Sequence, residues 1–77
     1  MPRLPRLSGH ETIKTLTKLG FIKKRQKGSH VLLVKESKDG KIGCVVPLHD
    51  ELEPGTLLGI LRQAKVSREE FLRVVKK

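Results

Sequence analysis

The sequence predicts an α+β domain in which helices cover one face of a three-stranded antiparallel sheet. Three observations lead to this prediction. A capping box opens an amphipathic segment near the N-terminus, two glycine-containing turns separate three β-type runs, and two further helical patterns follow them. The predicted order is therefore α-β-β-β-α-α. With 77 residues, the chain has room for one domain, residues 1–77, with a small core.

The first helix is predicted to begin directly after Ser8. Ser8 and Glu11 have the S-x-x-E spacing of a capping box, in which each side chain accepts a hydrogen bond from the other residue's backbone amide. Apolar residues then follow at helical spacing, at Ile13, Leu16 and Leu19. Gly20 suits the end of the helix because glycine adopts a positive φ without strain. Residues 1–7, with two prolines and two arginines, are expected to form a flexible or loosely docked arm.

Three strands are predicted next, over residues 21–27, 30–36 and 41–48. Gly28-Ser29 is expected to form the first turn, and the pair Asp39-Gly40 favours a second hairpin turn. In the third strand, alternate residues give one apolar face, made of Ile42, Cys44, Val46 and Leu48. Cys44 lies in this apolar run, so we interpret it as a small buried side chain and not as a reactive thiol.

Two helices are predicted after the acidic loop at residues 49–53. Pro54 suits the first position of a helix, where its missing N–H costs nothing. The predicted buried stripe of this helix is Leu57, Leu58, Leu61 and Ala64. A second capping box joins Ser67 to Glu70, and Val66 and Phe71 have the spacing of a hydrophobic staple. Residues 67–77 are therefore expected to form a C-terminal helical extension.

The charge balance favours a polyanionic partner. The chain has 17 Lys and Arg residues against 8 Asp and Glu, a net charge of +9, and such an excess attracts nucleic acid whatever its base sequence. With two Phe and neither Tyr nor Trp, recognition by base stacking on aromatic side chains is disfavoured. The N-terminus lacks the apolar core of a signal peptide, and no uncharged stretch approaches the ~20 residues that span a bilayer. We therefore expect a cytoplasmic protein that does not bind membranes.

Residues 21–30 combine four cations, no acid and one histidine. A basic surface beside a group that titrates near neutrality can cut RNA as well as hold it. His30 is the candidate catalytic residue because it follows a glycine turn, where a ligand can approach the backbone closely. A strand-edge histidine that only bonds to the backbone is the alternative. The candidate RNA-binding residues are Lys23, Lys24, Arg25, Lys27, Gly28 and Ser29.

The other two histidines are weaker candidates. His10 falls in the first turn of the first helix, where an exposed surface position is the common case. His49 precedes Asp50, whose carboxylate could orient the imidazole, although a simple loop residue is the commoner arrangement. Three scattered histidines without the paired spacing of zinc ligands make a poor metal site. We expect neither a metal nor another cofactor.

Several strings in this chain resemble the HicA (YcfA-like) toxins. They are Leu19-Gly20-Phe21, then RQKGSH at residues 25–30, Val46-Pro47-Leu48-His49, and GTLLGILRQA at residues 55–64. The resemblance runs from about Ser8 to Val66. The combination of RQKGSH with the later GTL and ILRQA strings is much more specific than a lone histidine.

The resemblance implies a fold and a function. HicA-like proteins have a double-stranded-RNA-binding-domain-like fold, α-β-β-β-α, and act as ribosome-independent mRNA interferases. Their essential histidine lies in the glycine-serine-histidine motif, which corresponds to His30 here. A HicB-like antitoxin neutralises them by covering the active surface. The expected function is thus that of a toxin endoribonuclease that uses His30 as a general base without metal.

Two other classes of function stay open at this point. The same basic surface would suit a non-catalytic double-stranded-RNA-binding module. It would also suit a small scaffold that docks an acidic protein, in which case RNA binding would change little with salt, whereas true phosphate contacts weaken steeply.

Overall fold

A computed structural model describes residues 4–75 of the chain. The elements in chain order are α1 (Gly9–Lys18), β1 (Ile22–Lys27), β2 (His30–Ser37), β3 (Gly40–Pro47), α2 (Pro54–Ala64) and α3 (Arg68–Val75). The strands form one antiparallel sheet in the order β1-β2-β3. The predicted α+β class and element order are confirmed. The first five elements follow the α-β-β-β-α order of a double-stranded-RNA-binding-domain-like fold, and α3 is added after them.

The two faces of the sheet are used differently. Val31 lies opposite Val46 and Leu33 opposite Cys44, and all four are at most 2% exposed. We call the face that carries these four residues the covered face, because the helices pack against it. Side chains alternate along a strand, so the intervening residues Leu32, Val34, Gly43 and Val45 and their neighbours across the strands form the opposite, open face.

The start of α1 is built as the sequence predicts. The Ser8 hydroxyl oxygen accepts a hydrogen bond from the Glu11 amide at 3.1 Å, and the Glu11 carboxylate accepts one from the Ser8 amide at 2.9 Å. These two bonds satisfy amides that the first turn of a helix leaves without partners. Leu16 is fully buried. Gly20, with φ of +103°, follows the last turn as predicted.

Two residues of the segment before α1 pack against the core. Leu7 is buried and Leu4 packs against the core. The Leu52 amide donates to the Leu7 carbonyl at 2.8 Å, and the Arg6 guanidinium pairs with the Glu51 carboxylate at 2.7 Å. Two apolar side chains three residues apart thus anchor residues 4–7. The rest of the predicted arm, residues 1–3, lies outside the described residues.

Both hairpins form, and the second turn spans residues 37–40, where the sequence predicts it. Lys38 and Asp39 are its two turn residues, while Gly40 begins β3 with φ of +119°. The Ser37 hydroxyl donates to the Gly40 carbonyl at 2.7 Å and closes the turn. The glycine is needed for the chain to leave the turn with a positive φ.

The buried face of α2 differs from the prediction at one position. The buried residues are Leu57, Ile60, Leu61 and Ala64, which follow the i, i+3, i+4, i+7 spacing of one helix face. Leu58 is only partly buried because it lies one position off this stripe. The run LLGIL offers two overlapping stripes, and packing selects the one that includes Ile60.

The C-terminal extension is helical as predicted, through α3. The Ser67 hydroxyl oxygen accepts a hydrogen bond from the Glu70 amide at 3.1 Å, which is one of the two bonds of a capping box. Phe71 is fully buried, and Val66 packs against the same core. The extension therefore contributes to the core of the domain. Residues 76 and 77 lie outside the described part of the chain.

Candidate active site

His30 occupies the first position of β2, directly after a two-residue turn. Lys27 lies opposite His30 and closes the hairpin, with Gly28 and Ser29 between them. Gly28 has φ of +59°, the conformation that the first residue of such a turn favours. A Cβ at Gly28 would meet no atom within 4 Å, so the backbone angle and not crowding requires glycine. The turn places His30 at the rim of the sheet, where it is exposed.

A chain of two hydrogen bonds braces this turn. The Lys23 ammonium donates to the Gln26 side-chain oxygen at 2.9 Å, and the Gln26 amide nitrogen donates to the Gly28 carbonyl at 3.0 Å. Within residues 4–75, the hydrogen bonds of this region do not involve the His30 ring. Among the described residues, the exposed imidazole has no hydrogen-bond partner within the chain.

The register of β1 divides the four predicted cations between the two faces. Arg25 lies opposite Leu32 and Lys27 opposite His30, so both share the open face with the imidazole. Lys23 lies opposite Leu33 and thus belongs to the covered side. The register shifts between Lys23 and Arg25. The structure therefore brings two of the predicted RNA-binding cations to the face of His30 and directs one away from it.

Lys24 is the residue that the register shift leaves without a partner across the strand. It lines a groove of about 380 Å³ together with Ile22, Val34 and Lys41. Val34 and Lys41 lie on the open face. At the usual rise per residue, Val34 is about 13 Å along β2 from His30, and Glu36, the partner of Lys41, is about 20 Å from it. Cationic side chains therefore occur at both ends of the open face.

The open face is apolar between its charged ends. Ile22 is 63% exposed and Val45 is 41% exposed, and these are the large apolar side chains most accessible to solvent among residues 4–75. Leu32 and Val34 flank Gly43 between them, since a Cβ at Gly43 would lie 3.8 Å and 3.9 Å from their side chains. This patch was not among the features predicted from the sequence. The alternation of β3 pointed to it, because an apolar residue at position 45 cannot share the face of Cys44 and Val46.

His49 lies at the same end of the sheet as His30. The Leu48 amide donates to the Ser29 carbonyl at 2.7 Å, which extends the β2–β3 ladder one residue beyond β3. The His49 carbonyl accepts a hydrogen bond from the Gly9 amide at 2.9 Å. Both histidine side chains are exposed. His10 is also exposed and lies in the first turn of α1.

Cys44 is buried as predicted, and burial raises the pKa of its thiol to about 11. The thiol therefore stays protonated and unreactive near neutral pH. In the described part of the chain, no three His, Cys, Asp or Glu side chains come together in a group that could hold a metal ion. Nor does any helix within residues 4–75 combine the length and apolar character needed to cross a membrane.

A family model described as the HicA toxin of bacterial toxin–antitoxin systems matches residues 9–66. The chain belongs to the HicA toxin family. The match covers most of the chain and includes His30, the basic strand β1 and His49. No curated protein was found to match this sequence. HicA toxins are generally ribonucleases, and membership of the family implies an antitoxin partner.

The family match ends before α3 begins. The HicA portion therefore consists of α1, the sheet and α2, and Phe71 of α3 completes its core from outside the matched residues. All the candidate site residues lie within the match, on β1, β2 and the turn that joins them.

Proposed function

We propose that this HicA toxin is a metal-independent endoribonuclease that cleaves mRNA with His30 as its general base. The observation that carries the proposal is the exposed His30 imidazole at the rim of an open sheet face that also presents Arg25 and Lys27. A phosphodiester held by these cations lies within reach of an imidazole whose nitrogens have no intramolecular partner among the described residues.

The reaction follows from the chemistry of these groups. His30 takes the proton of a ribose 2′-hydroxyl, and the 2′-oxygen attacks the neighbouring phosphorus. Arg25 and Lys27 bind the phosphate and stabilise the charge that builds on its free oxygens. Lys24 and Lys41 extend the binding of the RNA backbone along the open face. A well-placed base contributes about 10²- to 10⁴-fold in rate, which suits a slow enzyme whose product is growth arrest.

The substitution His30→Ala tests this proposal. We expect the cleavage rate of the purified toxin on RNA to fall by about 10²- to 10⁴-fold, while RNA affinity and thermal stability stay near those of the wild type. His10→Ala is the matched control, since it removes an exposed histidine from α1 and should leave the rate unchanged. Excess chelator should also leave the rate unchanged.

Three results would count against the proposal. Full cleavage by the His30→Ala protein would exclude the histidine as catalyst. A wild-type protein that binds RNA without cutting it would support the alternative of a non-catalytic double-stranded-RNA-binding module. Loss of cleavage in chelator would reject metal independence.

We further propose that a HicB-like antitoxin covers the open face in the cytoplasm. RNA backbone recognition has no need of apolar surface, yet Ile22 and Val45 are exposed there beside the cations. Exposed apolar patches rimmed by charge are typical of protein-binding surfaces. An antitoxin with an apolar centre and acidic rim would bury the patch and exclude RNA from His30.

The double substitution Ile22→Thr and Val45→Thr tests the antitoxin surface. Both replacements keep a β-branched side chain and remove apolar area, so we expect affinity for the HicB-like protein encoded beside the toxin to fall about tenfold or more. Lys14→Ala is the control, because this exposed lysine of α1 lies away from the sheet surface, and it should leave the affinity for the antitoxin unchanged. Unchanged antitoxin affinity in the double variant would place the interface elsewhere.

A further inference from the structure

If His30 is the only catalytic group, the cleavage reaction has a general base but no general acid. When the 2′-oxygen attacks phosphorus, the departing 5′-oxygen needs a proton, and no residue has been given that role. We propose that His49 is a second catalytic residue and acts as the general acid. This inference rests on the proposed ribonuclease function and identifies a further group in the same site.

The strand register places His49 on the same face as His30. His30 lies directly opposite Pro47, so these two residues share the open face. Leu48 continues the ladder through its bond to Ser29 and packs against the core on the covered side. Because side chains alternate along an extended chain, His49 emerges again on the open face.

The spacing suits a pair of groups that act on one phosphate. His49 is two residues from Pro47, which makes it a diagonal neighbour of His30, with about 7–8 Å between their positions on the strands. Each imidazole must come within about 2.6–3.2 Å of the oxygen that it serves. Two rings rooted at this spacing can approach opposite sides of the same phosphorus.

The segment that carries His49 is held in place on several sides. Its carbonyl accepts the Gly9 amide, and a Cβ at Gly9 would lie only 2.1 Å from the Pro47 carbonyl oxygen, so α1 is packed tightly against the end of β3. Beyond His49, Glu51 pairs with Arg6 and the Leu52 amide bonds to Leu7. A fixed backbone is what a positioned catalytic group needs.

Pro47 lies opposite His30 and two residues before His49. It is buried although it belongs to the open face, and its neighbours on that face are His30 across the sheet and Val45 and His49 along the chain. Both histidines are exposed, so each imidazole is accessible beside this buried proline.

The reaction balances with these two groups and no other reactant. The 2′-hydroxyl proton passes to neutral His30 as the bond between the 2′-oxygen and phosphorus forms. The bond between phosphorus and the 5′-oxygen breaks, and that oxygen receives a proton from the His49 imidazolium. The products are a 2′,3′-cyclic phosphate and a 5′-hydroxyl end, with His30 protonated and His49 neutral; exchange with water resets both.

The test compares two leaving groups. An RNA oligonucleotide that the wild-type toxin cuts is prepared with its normal linkage and with a 5′-bridging sulfur at the cleaved position. A thiolate leaves without protonation, so it needs no general acid. We expect His49→Ala to lower the rate on the normal linkage by about 10²-fold or more and to lower the rate on the sulfur linkage by less than about threefold.

The companion variants separate this inference from the proposed function. His30→Ala should lower the rate on both linkages, because the base is needed whatever leaves, and His10→Ala should lower neither. Equal losses on both linkages for His49→Ala, with an unchanged melting temperature, would overturn the acid role, as would a wild-type rate on both. If the wild-type toxin cuts no RNA offered to it, no such oligonucleotide can be prepared and the ribonuclease proposal itself fails.

Discussion

The same three strands form both faces of the sheet, but the two faces differ in the exposure and charge of their side chains. On the covered face, Val31, Leu33, Cys44 and Val46 are at most 2% exposed and hold the helices in place. On the open face, the same strands present cations and His30 around an apolar centre that remains accessible. Period-two alternation thus lets one sequence specify a core and a reactive surface separately. Substitutions on the covered face should lower the free energy of unfolding, and substitutions on the open face should change the binding and cleavage of RNA.

The largest effect on stability is expected for Leu33 on the covered face, and its neighbour Leu32 on the open face serves as the comparison. Leu33→Ala removes a side chain with 0% exposure and should lower the free energy of unfolding by about 2–5 kcal/mol. Leu32→Ala, on the open face and only partly buried, should cost about 1 kcal/mol or less. Urea titration of both variants measures the difference. Equal losses would mean that the open face is covered in solution.

The junction between the faces can be tested through Gly9. A Cβ at Gly9 would lie 2.1 Å from the Pro47 carbonyl oxygen and 2.9 Å from the Leu48 Cα, and backbone cannot move aside as a side chain can. Gly9→Ala should therefore lower stability by about 1–3 kcal/mol. It should also reduce RNA cleavage, because the segment that carries His49 must shift. Thermal unfolding and a cleavage assay measure the two effects.

Gly59 supplies the matched control for this substitution. It lies within α2, where a Cβ would meet no atom within 4 Å. Gly59→Ala should raise stability by about 0.5–1 kcal/mol, since alanine loses less backbone entropy than glycine in a helix. A Gly9→Ala protein as stable and active as the Gly59→Ala protein would show that α1 is not fixed against β3.

Local signals predicted the elements of the fold, and long-range packing decided the rest. The Ser8–Glu11 capping box and the Gly28-Ser29 turn each act over four residues or fewer, so the sequence alone reveals them. The choice of Ile60 over Leu58 for the core depends on where α2 meets the sheet. The docking of residues 4–7 depends on a loop about 45 residues away, through Arg6 and Glu51.

The candidate site shows the same division. His30 could be proposed from the sequence because its glycine turn and the neighbouring cations are adjacent in the chain, and the string that resembles the family includes it. The position of His49 at the same end of the sheet as His30 depends on the β2–β3 register, which joins residues that are far apart in the chain. The separation of Lys23 from Arg25 was not predictable either, because the charged run IKKRQK has no apolar alternation to reveal its register shift.

The smallest expected effect distinguishes the two lysines that the register places on opposite faces. Lys27 shares the open face with His30, whereas Lys23 lies on the covered side and donates to Gln26. Each lost phosphate contact on single-stranded RNA reduces the slope of log affinity against log salt by about 0.7. Lys27→Ala should show this reduction, and Lys23→Ala should leave the slope unchanged. Filter binding between about 50 and 200 mM salt resolves this two- to threefold difference. Equal slopes for the two variants would mean that RNA wraps around the edge strand β1 and does not lie on the open face alone.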